Sequence, residues 1–411
     1  MLEYWFKERM TLVDFRRGPL GPLFDGLAAR LKEKGYSHSR GYEILSKGCL
    51  FNSFLIDQGI TRSKEIDRTH FKAFIDNYSS SYNDKIKLRG RLKHIMSYLV
   101  DEGVLKPLEA NPIPARYCWA LSPYLLYLRD DCQFMERTID DARNVVGKFL
   151  DGLGEKAVRK SMRVLRAEDI DTYVKQHLRY SPDNLKRLRS NLRGFLRFCA
   201  QKRYITRDLS GMIPSIPSYR LARLPKGMDD TDLQRIINVI PKETAVGTRD
   251  SAIMLLMIAY GVRGKSVAVL LLEDIDWPRS TIRIRACKGG KEVVLPLLVP
   301  VGEAILSYLH LRHESTFREL FLSVRAPHFP LGNAEIYSTV SKYMTKAGVK
   351  IPKSGSSTLR HAWAIRALAK DSSMKAIADV LGHRCLNTTF IYAKADLKML
   401  RQVVMPWPEG R

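Results

Sequence analysis

The sequence predicts a mainly α-helical protein with one small β-sheet, in which two helical modules precede an α+β domain. Three observations carry this expectation. Apolar residues recur at three- and four-residue spacing in two similar stretches, 81–105 and 181–205 of the 411-residue chain, the pattern of amphipathic helices. Two proline-bearing stretches, "KPLEANPIPARY" (106–117) and "IPSIPSYRLARLPKG" (213–227), read as linkers, because proline ends helices and removes a backbone donor. One stretch, "DIDWPRSTIRIRACKGGKEVVLPL" (274–297), alternates apolar and polar, breaks at Gly289–Gly290 and alternates again, which reads as a β-hairpin with a glycine turn. The expected parts are therefore roughly 20–110, 118–215 and 225–411.

The first two parts read as copies of one module. Residues 81–105 and 181–205 align without a gap at an offset of 100, matching Leu88 with Leu188, Arg89 with Arg189 and Leu92 with Leu192. Ile95, Met96 and Tyr98 continue the match to Phe195, Leu196 and Phe198. Residues 28–40 likewise resemble 125–137, and 66–75 resemble 165–174. The polar face of 183–203 carries Lys186, Arg187, Arg189, Arg193, Arg197, Lys202 and Arg203 with almost no acid. A charge run is usually a solvated helix face; one so poor in acids is expected to contact phosphates, releasing counterions.

The net charge of +25 points the same way. A large positive excess most often means a polyanion partner, although ribosomes, anionic membranes or solubility would also account for it. The longest apolar run, "AIMLLMIAYGV" (252–262), is about half a membrane span and reads as a buried helix. The N-terminus has charges throughout and no apolar signal core, so a cytoplasmic protein is expected. Six scattered cysteines without a CxxC pair argue against a zinc site and a disulfide framework.

The third part opens with a buried helix, "RDSAIMLLMIAYGVR" (249–263), closed by Gly261. After the hairpin, helices are expected at 301–314, 334–347, 358–370, 373–381 and 388–403. Five side chains occupy notable positions: Arg263 after the helix stop, Lys288 in the hairpin turn, Arg360 in "STLRHAWAIRALA", His383 after Leu381–Gly382, and Tyr392 nine residues on. Two guanidiniums offer planar forks for phosphate oxygens and for charge developing during in-line attack. A phenol is a weak nucleophile until a base or cationic site draws off its proton. A hairpin lysine can protonate a departing oxygen, and a neutral imidazole can hold a phosphate oxygen. None of these steps needs a metal or another cofactor. Taken alone, Tyr392 would pass for a core aromatic among Phe390, Ile391 and Leu397, His383 for a helix-end residue and Lys288 for a solvated turn lysine.

The segments "YGVRGKSVAVLLLEDIDW", "IRIRACKGGKEVVLPL", "STLRHAWAIRAL" and "LGHRCLNTTFIY" resemble the four signature segments of the tyrosine recombinase (phage integrase) superfamily, in the right order over about 255–395. The helical modules resemble the family's SAM-like core-binding and accessory domains. The resemblance implies Arg263 and Arg360 as phosphate-binding residues, Lys288 as general acid for the leaving 5′-oxygen, His383 at the second histidine position, and Tyr392 as the nucleophile forming a 3′-phosphotyrosyl bond. It further implies double-stranded DNA as partner, a homo-tetramer or a mixed tetramer with sister recombinases on paired sites, no membrane association, and a bacterial, nucleoid-associated enzyme that integrates or excises a mobile element. The segment after Tyr392 is a candidate for packing on a neighbouring protomer.

Two positions depart from the family pattern. Ser357 stands where a histidine usually precedes the second arginine by three residues, and Ser266 stands where an acid often follows the first. A serine is no base at neutral pH. The expectation is weakened cleavage, with His383, His361 or water taking the phenol proton, and a faster Ser357→His variant. Otherwise Ser357 reads as a helix N-cap and His361 as structural. A silent or partner-dependent DNA-binding relative and a type IB topoisomerase-like activity remain as alternatives.

Overall fold

A computed structural model describes residues 1–78, 81–107, 113–213, 228–287, 290–349 and 355–392. The first helical part comprises α1 (Arg9–Arg16), α2 (Phe24–Glu33), α3 (His38–Asp57), α4 (Arg68–Tyr78) and α5 (Tyr82–Asp101). Its core joins Phe24, Leu27 and Leu31 to Ile44, Phe51, Leu88, Leu92 and Ile95. Leu2, Trp5, Phe6 and Phe15 are buried in the same core, so the first part begins well before residue 20. Ala326 also packs against it.

The second helical part comprises α6 (Ala115–Asp130), α7 (Glu136–Leu153), α8 (Arg159–Met162), α9 (Ala167–Gln176) and α10 (Pro182–Gln201). Helices α5 and α10 are both 20 residues long and begin 100 residues apart, which is the offset of the sequence repeat. Leu88, Leu92, Ile95 and Tyr98 are buried on one, and Leu188, Leu192, Phe195 and Phe198 on the other. Ser181 caps α10 by accepting a hydrogen bond from Asn184 N, and Pro182 occupies the first helical position, where its missing N–H is no loss.

The basic face of α10 is less free than its charge run suggests. Arg189 is buried, Arg193 donates to the Ile213 carbonyl at 2.7 Å, Arg197 donates to Ser210 Oγ at 3.3 Å, and Arg187 pairs with Asp141 at 3.0 Å. Chain that returns after α10 supplies two of these acceptors, so the fold draws the arginines inward. Lys202 and Arg203 instead join Arg159, Lys160, Arg163 and Tyr204 around an open cleft of about 500 Å³.

The third part comprises α11 (Asp230–Asn238), α12 (Ala245–Tyr260), α13 (Gly264–Ala268), strands β1 (Ile275–Asp276), β2 (Thr281–Ile284) and β3 (Val293–Pro296), then α14 (Val299–Leu309), α15 (Asn333–Lys346), α16 (Ser356–Ala369) and α17 (Met374–Val380). Helix α12 is buried on all sides and packs on α14 and α16. It ends at Gly261, whose φ of 61° is the left-handed cap that glycine adopts without penalty. Its one strongly polar stretch is satisfied internally: Arg249 pairs with Asp250, which also accepts from Tyr343 Oη at 2.9 Å.

The three strands form one antiparallel sheet in the order β1-β2-β3, with Ile282 opposite Leu295. The ladder stops at Ile284–Val293, short of the expected glycine turn. Beyond it, Arg285 with Arg283 clasps the buried Asp274 at 2.7 and 2.9 Å. Burial pushes the Asp274 carboxyl up, but the two guanidiniums outweigh it and hold it below the usual range.

By compactness the described chain forms two units, Met1–Lys106 with Leu221–Arg411, and Pro107–Arg220. No helix among the described residues is long and apolar enough to cross a membrane. The expected helix at 388–403 is not seen as far as it is described: Leu386–Thr388 is a single 3-10 turn, and 393–403 lies outside the described residues.

Candidate active site

The site is assembled where three helix ends meet the hairpin. Arg263 follows the Gly261 stop and stands, half-buried, at the N-terminus of α13. Gly264 behind it meets the start of α16 so closely that a Cβ would lie 3.0 Å from Ser356 Oγ. Helix α16 is locked to the end of α12 by Trp363 Nε1 donating to the Ala259 carbonyl at 2.7 Å, and by Arg366 donating to the Ile258 carbonyl at 3.0 Å. These bonds fix the rotation of α16 and therefore the direction of Arg360.

Arg360 is buried. It donates to the carbonyls of Gly261 at 3.0 Å and Leu381 at 2.7 Å, and to His383 Nε2 at 2.7 Å. One guanidinium thus ties the end of α12 to the end of α17. Burial, and next the charge of Arg263, pull its pKa down to about 10. Arg263 makes no ion pair with an acid among the described residues, and its charge is felt at Arg360, His383 and Tyr392.

His383 follows Gly382, whose φ of 63° ends α17. An arginine can only donate, so the Nε2 of His383 must accept; its Nδ1 then carries the hydrogen and donates to Thr389 Oγ1 at 2.7 Å. Burial, then Arg360 and Arg263, push its pKa down to about 4. The imidazole is neutral at pH 7. The unfolded chain, with an ordinary histidine, binds a proton that the folded chain refuses between about 6.5 and 4. Stability is therefore full above about pH 6.5 and falls as pH drops toward 4. In thermal melts, His383→Gln should show a shallower decline over that window than wild type; parallel declines would contradict this assignment.

Tyr392 is a buried aromatic whose hydroxyl still meets a polar partner. Its ring is 2% exposed and packs with Ala364, Ile377 and Leu381. Its hydroxyl lies 3.0 Å from His361 Nδ1. Burial raises the phenol pKa, while Arg360 and Arg263 oppose that rise by favouring phenolate.

The hairpin reaches this cluster by its backbone. Lys291 N donates to the Gly382 carbonyl at 3.1 Å. A Cβ on Gly290 would lie 2.9 Å from Gly382 O and 3.4 Å from Arg263 Nη1. Lys288 itself lies outside the described residues.

Four of the five expected side chains, Arg263, Arg360, His383 and Tyr392, are therefore brought together. One expectation about these residues needs correction. Ser357 is no N-cap: Gly355 holds that position, α16 starts at Ser356, and Ser357 is an exposed residue of the first turn. His361, read as structural, has Tyr392 laid against it by the chain that returns after α17. Thr389, which orients His383, went unnoticed in the sequence; a hydroxyl six residues after a histidine carries no local signal.

Comparison with known proteins bears on the family and the fold. Residues 226–399 match the phage integrase family. A protein of Sinorhizobium fredii described as an integrase/recombinase, y4rA, is 30% identical over 414 residues, covering 99% of this chain and 99% of that protein. The tyrosine recombinase XerA of Pyrococcus furiosus is 30% identical over 191 residues, 46% of this chain and 63% of that one. Among solved structures, the XerH site-specific recombinase bound to palindromic difH substrate, a post-cleavage complex, aligns with a TM-score of 0.54 at 18% identity, covering 72% of this chain and 97% of that one. A lambda integrase dimer bound to a COC′ core site aligns with a TM-score of 0.53 at 14% identity, covering 71% and 98%. The structural likeness speaks for the fold, and the end-to-end sequence match speaks for descent. With a buried tyrosine among two arginines and a histidine in a fold of this kind, the chain belongs to the phage integrase, or tyrosine recombinase, family.

Proposed function

We propose that this protein is a site-specific DNA recombinase in which Tyr392 attacks a phosphodiester and forms a 3′-phosphotyrosyl intermediate. The observation that carries the reading is the position of the Tyr392 hydroxyl beside His361, where burial raises its pKa and Arg360 and Arg263 oppose that rise. Arg360 and Arg263 bind the phosphate and stabilise the charge that develops on it. Neutral His383, oriented by Thr389, holds Arg360 in place. Lys288, on the hairpin anchored through Lys291 and Gly382, protonates the departing 5′-oxygen. The covalent bond conserves the energy of the phosphodiester, so the second strand end can displace Tyr392 without ATP.

In this reading the first two parts serve as an N-terminal DNA-binding module (expected at 20–110, with a core that already includes Leu2) and a core-binding module (118–215), with the catalytic domain at 225–411. Four protomers pair two sites, and the enzyme moves a mobile element. The experiment is strand cleavage in EDTA on nicked duplex spanning the ends of the element that carries the gene. Wild type is expected to leave an SDS-resistant protein–DNA adduct, and Tyr392→Phe none. Tight binding without an adduct from wild type would point to a silent DNA-binding relative, and relaxation of plasmids lacking any site to a topoisomerase.

The core-binding module should hold DNA through the cleft at the end of α10 rather than along its whole face. Lys160→Gln with Lys202→Gln is expected to weaken binding about equally for all duplexes and to lower the salt slope by about 2, one for each phosphate no longer neutralised. Changing Arg193, whose guanidinium is bound to Ile213 O, should cost stability instead. A salt slope unmoved by the double variant would place the phosphate-binding groups elsewhere.

A further inference from the structure

We propose that His361 is the group that takes the phenol proton when Tyr392 attacks, filling the role left open by Ser357; the inference rests on Tyr392 being the nucleophile. Three side chains compete for this role, and geometry separates them. Ser357 carries a hydroxyl, which is no base at neutral pH, and it is exposed in the first turn of α16. His383 has no lone pair to offer: its Nε2 lone pair is held by Arg360 at 2.7 Å, and its Nδ1 carries the hydrogen given to Thr389. His361 Nδ1 lies 3.0 Å from the Tyr392 oxygen, within the reach required of a base.

The surroundings suit that task. Burial and the adjacent Arg360 charge hold the His361 pKa below its ordinary value, so the ring is neutral, with its hydrogen on Nε2 and its lone pair toward the phenol. Successive residues of a helix point about 100° apart. Arg360 and His361 therefore approach the tyrosine from two sides of one helix: the first stabilises the oxygen's negative charge and the second accepts its proton.

The step balances. As the Tyr392 oxygen forms its bond to phosphorus, its O–H bond breaks and the proton passes to Nδ1, giving an imidazolium. The P–O5′ bond breaks, and the leaving oxygen takes a proton from its own acid. On rejoining, the 5′-hydroxyl gives its proton back to that acid as it attacks phosphorus, the tyrosyl oxygen leaves, and His361 returns the proton to it. The bound phosphate offsets the positive charge gathered on two neighbouring residues.

The test uses the full chain and nicked duplex spanning the element ends. Asparagine at 361 places an amide atom where Nδ1 stood, keeping a hydrogen bond but no basicity, so it separates proton transfer from packing. His361→Asn should form adduct at least about 100-fold more slowly, with melting temperature and DNA affinity unchanged. Installing 3,5-difluorotyrosine at 392, a more acidic phenol, should restore much of that loss and change the wild-type rate little. Adduct formation by His361→Asn at the wild-type rate overturns the inference while leaving the tyrosine reading intact. Equal acceleration of wild type and variant by the fluorinated phenol overturns it too, because it would show a base still at work. No adduct from wild type itself removes both readings.

Discussion

Arg360→Lys should lose roughly 100- to 1,000-fold or more in strand cleavage, the scale on which removing a preorganised donor to a developing charge acts. Lysine keeps the charge but not the fork. Arg360 spans the Gly261 carbonyl, the Leu381 carbonyl and His383 Nε2, three acceptors on two helix ends, and one ammonium on a flexible stem cannot reach all three. The acceptors left behind are buried, so stability should fall by about 1–3 kcal/mol per unsatisfied group. Denaturant unfolding measures the second effect and adduct formation the first. A variant within tenfold of wild type in cleavage would show that the phosphate is held elsewhere.

The second large effect is expected at a residue with no side chain. Gly382 has a φ of +63°, and a Cβ there would lie 2.8 Å from the Lys291 carbonyl oxygen. Gly382→Ala thus meets two penalties: about 1–2 kcal/mol for the left-handed backbone, and a collision with main chain that cannot swing aside. Relief requires moving the hairpin or His383. The hairpin carries the proposed acid, and a displacement of about 1 Å at a catalytic group can cost about 100-fold in rate. Cleavage should fall by that order while DNA affinity persists. Full cleavage by Gly382→Ala would mean that the bond between Lys291 and Gly382 is incidental.

What the sequence revealed of the fold was what local periodicity records. The helix at 249–263, its glycine stop, the paired strands and the module repeat all lie within short windows, and each is found at or within a few residues of its expected place. The core role of Leu2, Trp5, Phe6 and Phe15 was hidden among charges, since no period marks a segment that is mostly turn. The site was legible as a set of residue types at known spacing, but not as a set of contacts. Position on α16 gave the angle between Arg360 and His361; only the return of the chain after α17 decides that residue 392 lies against 361. The same holds for α10, whose arginines looked free until Ile213 and Ser210 folded back upon them.

The most direct measurement is to map the trapped adduct. Nicked element-end duplex is incubated with the wild-type protein in EDTA, the adduct is digested with protease and nuclease, and the modified peptide and the free DNA end are identified by mass spectrometry and end-labelling. The proposed chemistry predicts a nucleotide attached through its 3′-phosphate to Tyr392, with a free 5′-hydroxyl on the released strand. Attachment to any other residue, a 5′-phosphate link, or tight binding with no covalent product would contradict it.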